Sequence, residues 1–193
     1  PELYVAETYY SRGDRGARTD VLTIYDKATL EAVDEIILPG QKRGMVVTDK
    51  STLQLIDNER FALVYNFTPA ASVTVIDLAS RTIVNEIAIP GCALIVPTGQ
   101  RGFSSFCANG KMATYLLDET GQLLSETFTD TFFDADDDPM RVRHVRLGDV
   151  GYFPTYGGML QPVDFSADAP AVLSPWTLKV DEKPGLFTRL YLW

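Results

Sequence analysis

The sequence predicts an all-β protein, part of a β-propeller with about four consecutive four-stranded blades. Three observations carry this. Runs of alternating apolar and polar residues are separated by short polar turns. One unit, an alternating strand running into an aspartate turn and a second strand, occurs four times: it centres on Asp26, Asp77, Asp118 and Asp164, at steps of 51, 41 and 46 residues. Repeats of roughly 40 to 50 strand-rich residues are the signature of propeller blades. Helix signals are nearly absent: "KATLEAVDEIIL" has some helical propensity, but Val33, Ile36 and Ile37 after a turn fit a strand better.

The elements follow in order. "DVLTIYDKATLEAVDEIILPG" (20–40), "SVTVIDLASRTIVNEIAIPG" (72–91) and "KMATYLLDETGQLLSETFTD" (111–130) share one grammar, and "GMLQPVDFSADAPAVLSPWT" (158–177) is a weaker fourth copy. Each aspartate ends a strand, where its carboxylate can accept a backbone N–H two residues on, so these four are hairpin residues and not catalytic candidates. Gly121 supplies an easy positive φ in the third copy. A further strand precedes each hairpin: "ELYVAETYY", "FALVYNF", "GFSSFC" and "GYFPTY". Turn signals at 57–60 and 147–151 lead into them, and segments such as "CALIVP" (92–97) add another strand per unit. The resulting single domain, 1–193, divides into units of roughly 1–45, 46–95, 96–145 and 146–193. Four units do not close a ring, and "KPGLFTRLYLW" reads as another blade's first strand, so a longer natural polypeptide with open blade edges is expected.

A net charge of −9 argues against nucleic acid and anionic membrane surfaces as partners. No apolar run approaches the ~20 residues of a membrane helix. The chain begins at Pro1 rather than Met, so the lack of a signal-peptide pattern carries no information on compartment. Cys92 and Cys107 are either two buried thiols or one disulfide, and their count does not choose between these.

Catalytic and metal motifs are missing. His144, the only histidine, has no G-x-S-x-G elbow to serve and reads as a loop histidine. One His and two Cys do not make a zinc site, and no glycine-rich phosphate loop occurs. "RGD" at 12–14 reads as a charged loop. "FDADDDP" (133–139) places Asp134, Asp136, Asp137 and Asp138 within five residues. With Asp134 as position 1, an EF-hand frame puts Pro139 where glycine is required and Val145 where glutamate is required. A solvated acidic loop between blades is the reading, with a docking surface for a partner as the second. A propeller alone does not give a function.

Four stretches resemble a known family. They are "SRGDRGARTDVLTIYDKATLEAVDEIILP" (11–39), "YNFTPAASVTVIDL" (65–78), "GCALIVPTGQRGFSSFCANGKM" (91–112) and "GYFPTYGGMLQPVDFS" (151–166). They are similar to the large (heavy) subunit of the bacterial quinoprotein amine dehydrogenases, the methylamine and aromatic amine dehydrogenases. The shared features are Arg-Thr-Asp before the first strand pair, aromatic-x-Phe-[Ser/Thr]-Pro-Ala, Cys…Pro-Thr…Phe…Cys-x-[Asn/Asp]-Gly, and Pro-Thr-Tyr-x-Gly.

The resemblance implies a seven-bladed ring and a periplasmic α2β2 enzyme, an oxidoreductase acting on CH–NH2. Tryptophan tryptophylquinone, the family's cofactor, is built from two tryptophans of a separate, cysteine-dense small subunit. With two Trp and two Cys this chain is not that subunit, so it carries no cofactor and no catalytic residue. The implied partners are the small subunit, a second large subunit and a cupredoxin electron acceptor. Cys92 and Cys107 fall on the family's paired cysteines, which implies a disulfide, in keeping with an oxidising periplasm. "FFDADDDP" matches an acidic connection in the family. The large subunit's substrate-entrance Phe falls upstream of Pro1. After Trp176 the family continues through a Trp- and Gly-rich segment, whereas "KVDEKPGLFTRLYLW" arrives early, which leaves the last blade boundary open. The alternative function is a non-catalytic periplasmic propeller that binds a ligand or another protein.

Overall fold

The computed structural model describes residues 1–44, 49–141 and 143–179. They form four antiparallel sheets in chain order. The first holds β1 (Glu2–Tyr10), β2 (Arg18–Asp26) and β3 (Ala32–Leu38). The second holds β4 (Leu53–Ile56), β5 (Phe61–Asn66), β6 (Ser72–Asp77) and β7 (Thr82–Ala88). The third holds β8 (Cys92–Thr98), β9 (Gly102–Cys107), β10 (Met112–Leu117) and β11 (Leu123–Phe128). In the fourth, β12 (Val145–Leu147), β13 (Val150–Pro154) and β14 (Met159–Asp164) are followed by two short strands, β15 (Ala171–Val172) and β16 (Trp176–Thr177), both paired with β14.

Two expectations shift. The first sheet has three strands among the described residues rather than four. The division expected at residue 95 falls inside β8, because Pro90 and Gly91 (φ 73°) turn the chain earlier and Cys92 already belongs to the third sheet. The division at 45 and the strand expected in "KPGLFTRLYLW" lie outside the described residues, 45–48 and 180–193.

The aspartate turns form as the sequence dictates. Asp26 Oδ1 accepts the amides of Ala28 and Thr29, and Asp77 Oδ1 those of Ala79 and Ser80. Asp118 takes the amides of Thr120 and Gln122, and Asp164 that of Ser166. All four carboxyls are held below the usual carboxylate range. The main cause is the Thr29, Ser80 and Ser166 amide for Asp26, Asp77 and Asp164, and the Thr120 hydroxyl for Asp118.

Period-two alternation decides which sheets touch. On β5, Phe61, Leu63 and Tyr65 face the third sheet and meet Ile95, Phe103 and Tyr115. Ala62 and Val64 face the first sheet and meet Leu22, Ile24 and Ile36. A smaller cluster of Val96, Met112, Phe153, Val163 and Phe165 joins the third and fourth sheets. Polar clamps reinforce these seams. Asp57, on the β4–β5 turn, takes Arg101 Nε at 2.8 Å and Gln100 Nε2 at 2.9 Å from the β8–β9 turn. Arg81 bridges back to Asp34 and Glu2 of the first sheet.

Each meander therefore has two unlike ends. At one end lie all four aspartate turns and the tight β4–β5, β8–β9 and β12–β13 turns. At the other lie the β1–β2, β5–β6, β9–β10 and β13–β14 loops, together with the connections that pass from sheet to sheet.

Candidate functional site

The connection end carries the residues that the sequence singled out. Cys92 opens β8 and Cys107 closes β9 as direct cross-strand partners, and their sulfur atoms are bonded at 2.02 Å. The two readings of the cysteines thus resolve to a disulfide. Beside it the Ala108 amide donates to Gly91 O at 2.9 Å and the Cys107 amide to Lys111 O at 2.9 Å.

Gly110, in the β9–β10 turn, has φ 75° and backs directly onto the Phe133 carbonyl, where a side chain has no room. Phe132 N donates to Gly110 O at 3.0 Å and ties the 129–144 connection to this turn. Under the connection Phe106 meets Phe132, Phe133 and Phe153, with ring centroids 6.3, 6.0 and 4.8 Å apart. His144 stacks on Phe153 at 4.5 Å, and its carbonyl accepts Lys50 Nζ at 2.9 Å. The only histidine is thus stacked on one aromatic ring. A shallow depression opens above, lined by Ala108–Gly110 and Thr131–Asp136.

The acidic run folds on itself. Asp134 Oδ1 accepts the Asp136 and Asp137 amides at 2.9 Å each, which hold its carboxyl low. Asp138 turns toward the fourth sheet and accepts Thr155 Oγ1 at 2.8 Å and the Gly157 amide. Only Asp136 and Asp137 reach solvent without such a role. Among the described residues no group of three or more His, Cys, Asp or Glu is placed to hold a metal ion.

Three buried polar groupings escaped the sequence reading. Asp20 is buried and takes Arg18 Nε at 2.9 Å, Arg18 Nη2 at 2.8 Å and Thr8 Oγ1 at 2.6 Å, so the Arg-Thr-Asp signature is a structural fork. Asn66 Nδ2 donates to Ser72 and Thr74, while Ser72 and Lys42 converge on Glu86. Thr98, Ser104 and Thr114 form a hydroxyl chain at 2.7 and 2.8 Å across the third sheet. Serine and threonine within an alternating strand were the available signal, but a single strand does not show which hydroxyls face one another.

Comparison with known proteins gives a consistent picture. The family model for the methylamine dehydrogenase heavy chain (MADH) matches residues 2–183. The heavy chain of Paracoccus versutus methylamine dehydrogenase is 29% identical over 174 residues, covering 88% of this chain and 40% of the relative. That of Methylorubrum extorquens is 28% identical over 165 residues, covering 84% and 40%. The chain thus spans about 40% of the length of these relatives. Among solved structures, a functionally unknown protein from Desulfotomaculum acetoxidans superposes with TM-score 0.60 at 12% identity, over 92% of this chain and 53% of that one. The β-propeller domain of Cps50 (Swd1) from Myceliophteria thermophila does so with TM-score 0.51 at 14% identity, over 86% and 58%. These likenesses establish the propeller fold alone.

Proposed function

The chain belongs to the methylamine dehydrogenase heavy chain family, and from that premise we propose that it is the scaffold subunit of a periplasmic, tryptophan tryptophylquinone-dependent amine dehydrogenase. The observation that carries this is the family match across almost all of the described chain. A primary amine is oxidatively deaminated on a separate small subunit in an α2β2 assembly, and the electrons pass to a cupredoxin. This chain supplies rigid walls and docking surface, and no catalytic residue.

Trp176 lies edge-on to Tyr152, with ring centroids 5.9 Å apart, and Trp193 lies outside the described residues. Both cysteines are consumed in one bond, and that bond supports an oxidising compartment. No helix among the described residues is long and apolar enough to cross a membrane.

The test is co-purification of the full-length chain from its native host, followed by spectra with and without a primary amine. A Cys-rich small partner and an amine-bleached quinone band are expected. A colourless, unresponsive preparation without such a partner overturns the proposal and leaves a binding propeller instead.

A further inference from the structure

Asn109–Gly110 is the one Asn-Gly pair in the chain, and it sits on the β9–β10 turn beside the disulfide. Such a pair can modify itself. The Gly110 amide nitrogen, once deprotonated, attacks Asn109 Cγ. The N–Cγ bond forms, the Cγ–Nδ2 bond breaks and ammonia leaves. Water then opens the cyclic imide at either carbonyl and yields aspartate or isoaspartate, with no oxidant and no cofactor. Glycine makes the attack easy, because it has no Cβ to crowd the nitrogen and its backbone turns freely.

This turn withholds that freedom. Asn109 is exposed, but Gly110 is buried. The attacking nitrogen donates to Cys107 O at 3.1 Å, and Asn109 Oδ1 accepts the Lys111 amide at 3.2 Å. Gly110 O accepts the Phe132 amide at 3.0 Å, and the side of its Cα where a Cβ would project faces the Phe133 carbonyl. Phe132 and Phe133 belong to the 129–144 connection, and both rings pack on Phe106. The glycine is thus pinned through its nitrogen, its oxygen and its Cα at once. Attack needs the first contact broken and the Gly110 backbone turned, and the other two resist that rotation.

We infer that Asn109 is a self-modification site and that the 129–144 connection is the latch that keeps it shut. Modification proceeds only through local openings that lift Phe132 and Phe133 off the turn, so its rate is the unfolded-chain rate multiplied by the open fraction. The two products differ in consequence. Aspartate keeps an Oδ1 for the Lys111 amide and lets the turn close again. Isoaspartate routes the chain through the side-chain carbon, lengthens the backbone by one atom and loses the fit to Cys107 O and Phe132 N together. It leaves the connection unlatched. The inference stands on this chain's own turn and not on the heavy-subunit reading.

The experiment incubates the full-length, oxidised protein at mildly alkaline pH beside a urea-unfolded sample. Peptide mapping by mass spectrometry reads asparagine, aspartate and isoaspartate at position 109. Hydrogen exchange of the Phe132 amide gives the open fraction independently. The folded chain should modify at least about tenfold more slowly than the unfolded one, by the same factor as the Phe132 amide is protected. Phe132→Ala, which removes one ring of the latch and leaves the pair intact, should speed modification, and Leu124→Ala on the outer strand β11 should not. Equal rates in the folded and unfolded samples overturn the inference, as does an unfolded chain that stays unmodified. A folded Phe132→Ala chain that modifies at the wild-type rate overturns it too. Where Phe132→Ala does not fold, the wild-type chain decides: a rate ratio that differs about tenfold from the Phe132 amide protection rejects the latch.

Discussion

Reducing the Cys92–Cys107 bond should lower the unfolding free energy of the full-length protein by about 3 kcal/mol. The figure follows from the chain separation of 15 residues. Closing a loop of that length in the unfolded chain removes conformational entropy worth ~3 kcal/mol at 25 °C. Reduction is the cleaner perturbation, because both sulfur atoms stay in a site where the cysteines are only 7% and 5% exposed, so packing is nearly conserved. A Cys92→Ala, Cys107→Ala chain loses the crosslink as well as some packing and should fall at least as far. The assay is urea unfolding followed by circular dichroism, oxidised against reduced. The reduced form should also have the larger dependence on urea, since its unfolded chain exposes more surface. Hydrogen exchange adds a local reading: the Ala108 amide, bonded to Gly91 O beside the bridge, should exchange faster after reduction. Superimposed oxidised and reduced curves would refute the reasoning, and would mean that the strand pair is already formed in the unfolded state.

Three further outcomes follow from named contacts. Asp57→Asn should cost about 2 kcal/mol, because it weakens charged hydrogen bonds from Arg101 and Gln100 in a site where the Asp57 side chain is 7% exposed. Burial pushes the Asp57 carboxyl up, but the Arg101 and Gln100 hydrogen bonds outweigh it and the net shift is downward. Its stabilisation is therefore present above its unfolded pKa of about 4 and is lost as pH falls through the lower folded value. Acid unfolding of the Asn variant should lack that component of the slope, and an identical acid profile would exclude the clamp. Gly110→Ala should destabilise by at least ~2 kcal/mol, from the positive φ and the Phe133 carbonyl together; a neutral melt would mean the 129–144 connection is not seated on that turn. Glu59→Gly should stabilise by about 1 kcal/mol. Asp57, Asn58 and Glu59 run through three successive positive φ angles in the β4–β5 turn, where the β8–β9 and β12–β13 turns use Gly99 and Gly148. A drop in melting temperature would contradict this.

The sheets were legible because each level of the sequence agrees with the next. Asp77 ends an alternating strand, its carboxylate caps its own turn, and the strand's even and odd residues then fill two different seams. None of this needs information from elsewhere in the chain. The failures share the opposite cause. The start of the third sheet was missed because Cys92–Ile95 is apolar on both sides of residue 95, and only pairing with Cys107 assigns it to β9 rather than to β7. Asp57 looked like a turn residue, and it is one, but its partner sits in a turn some forty residues later. The acidic run looked like one cluster, yet Asp138 answers to Thr155 and Gly157 and not to its neighbours. Asn109 and Gly110 were visible as letters within "CANGK". Their restraint emerges only from Phe132 and Phe133, which belong to the connection entering the next sheet.

That dependence on the incoming connection bears on how a repeated fold acquires a specific surface. The aspartate end is stabilised by side chain to backbone bonds that span two to four residues, so each turn folds on its own and resembles the others. The connection end is held by contacts between a sheet and the segment entering it, and those segments differ: 39–52 is long, 89–91 is a tight turn, and 129–144 carries the acidic run and a cluster of phenylalanines. This end therefore presents different side chains in successive sheets: Phe67, then Ala108 beside a disulfide, then Tyr156 under the Arg141 guanidinium. Recognition of one partner requires unlike neighbours at fixed spacing. Among the described residues the connection end combines fixed backbone pairs with unlike side chains, whereas the aspartate turns are more regular.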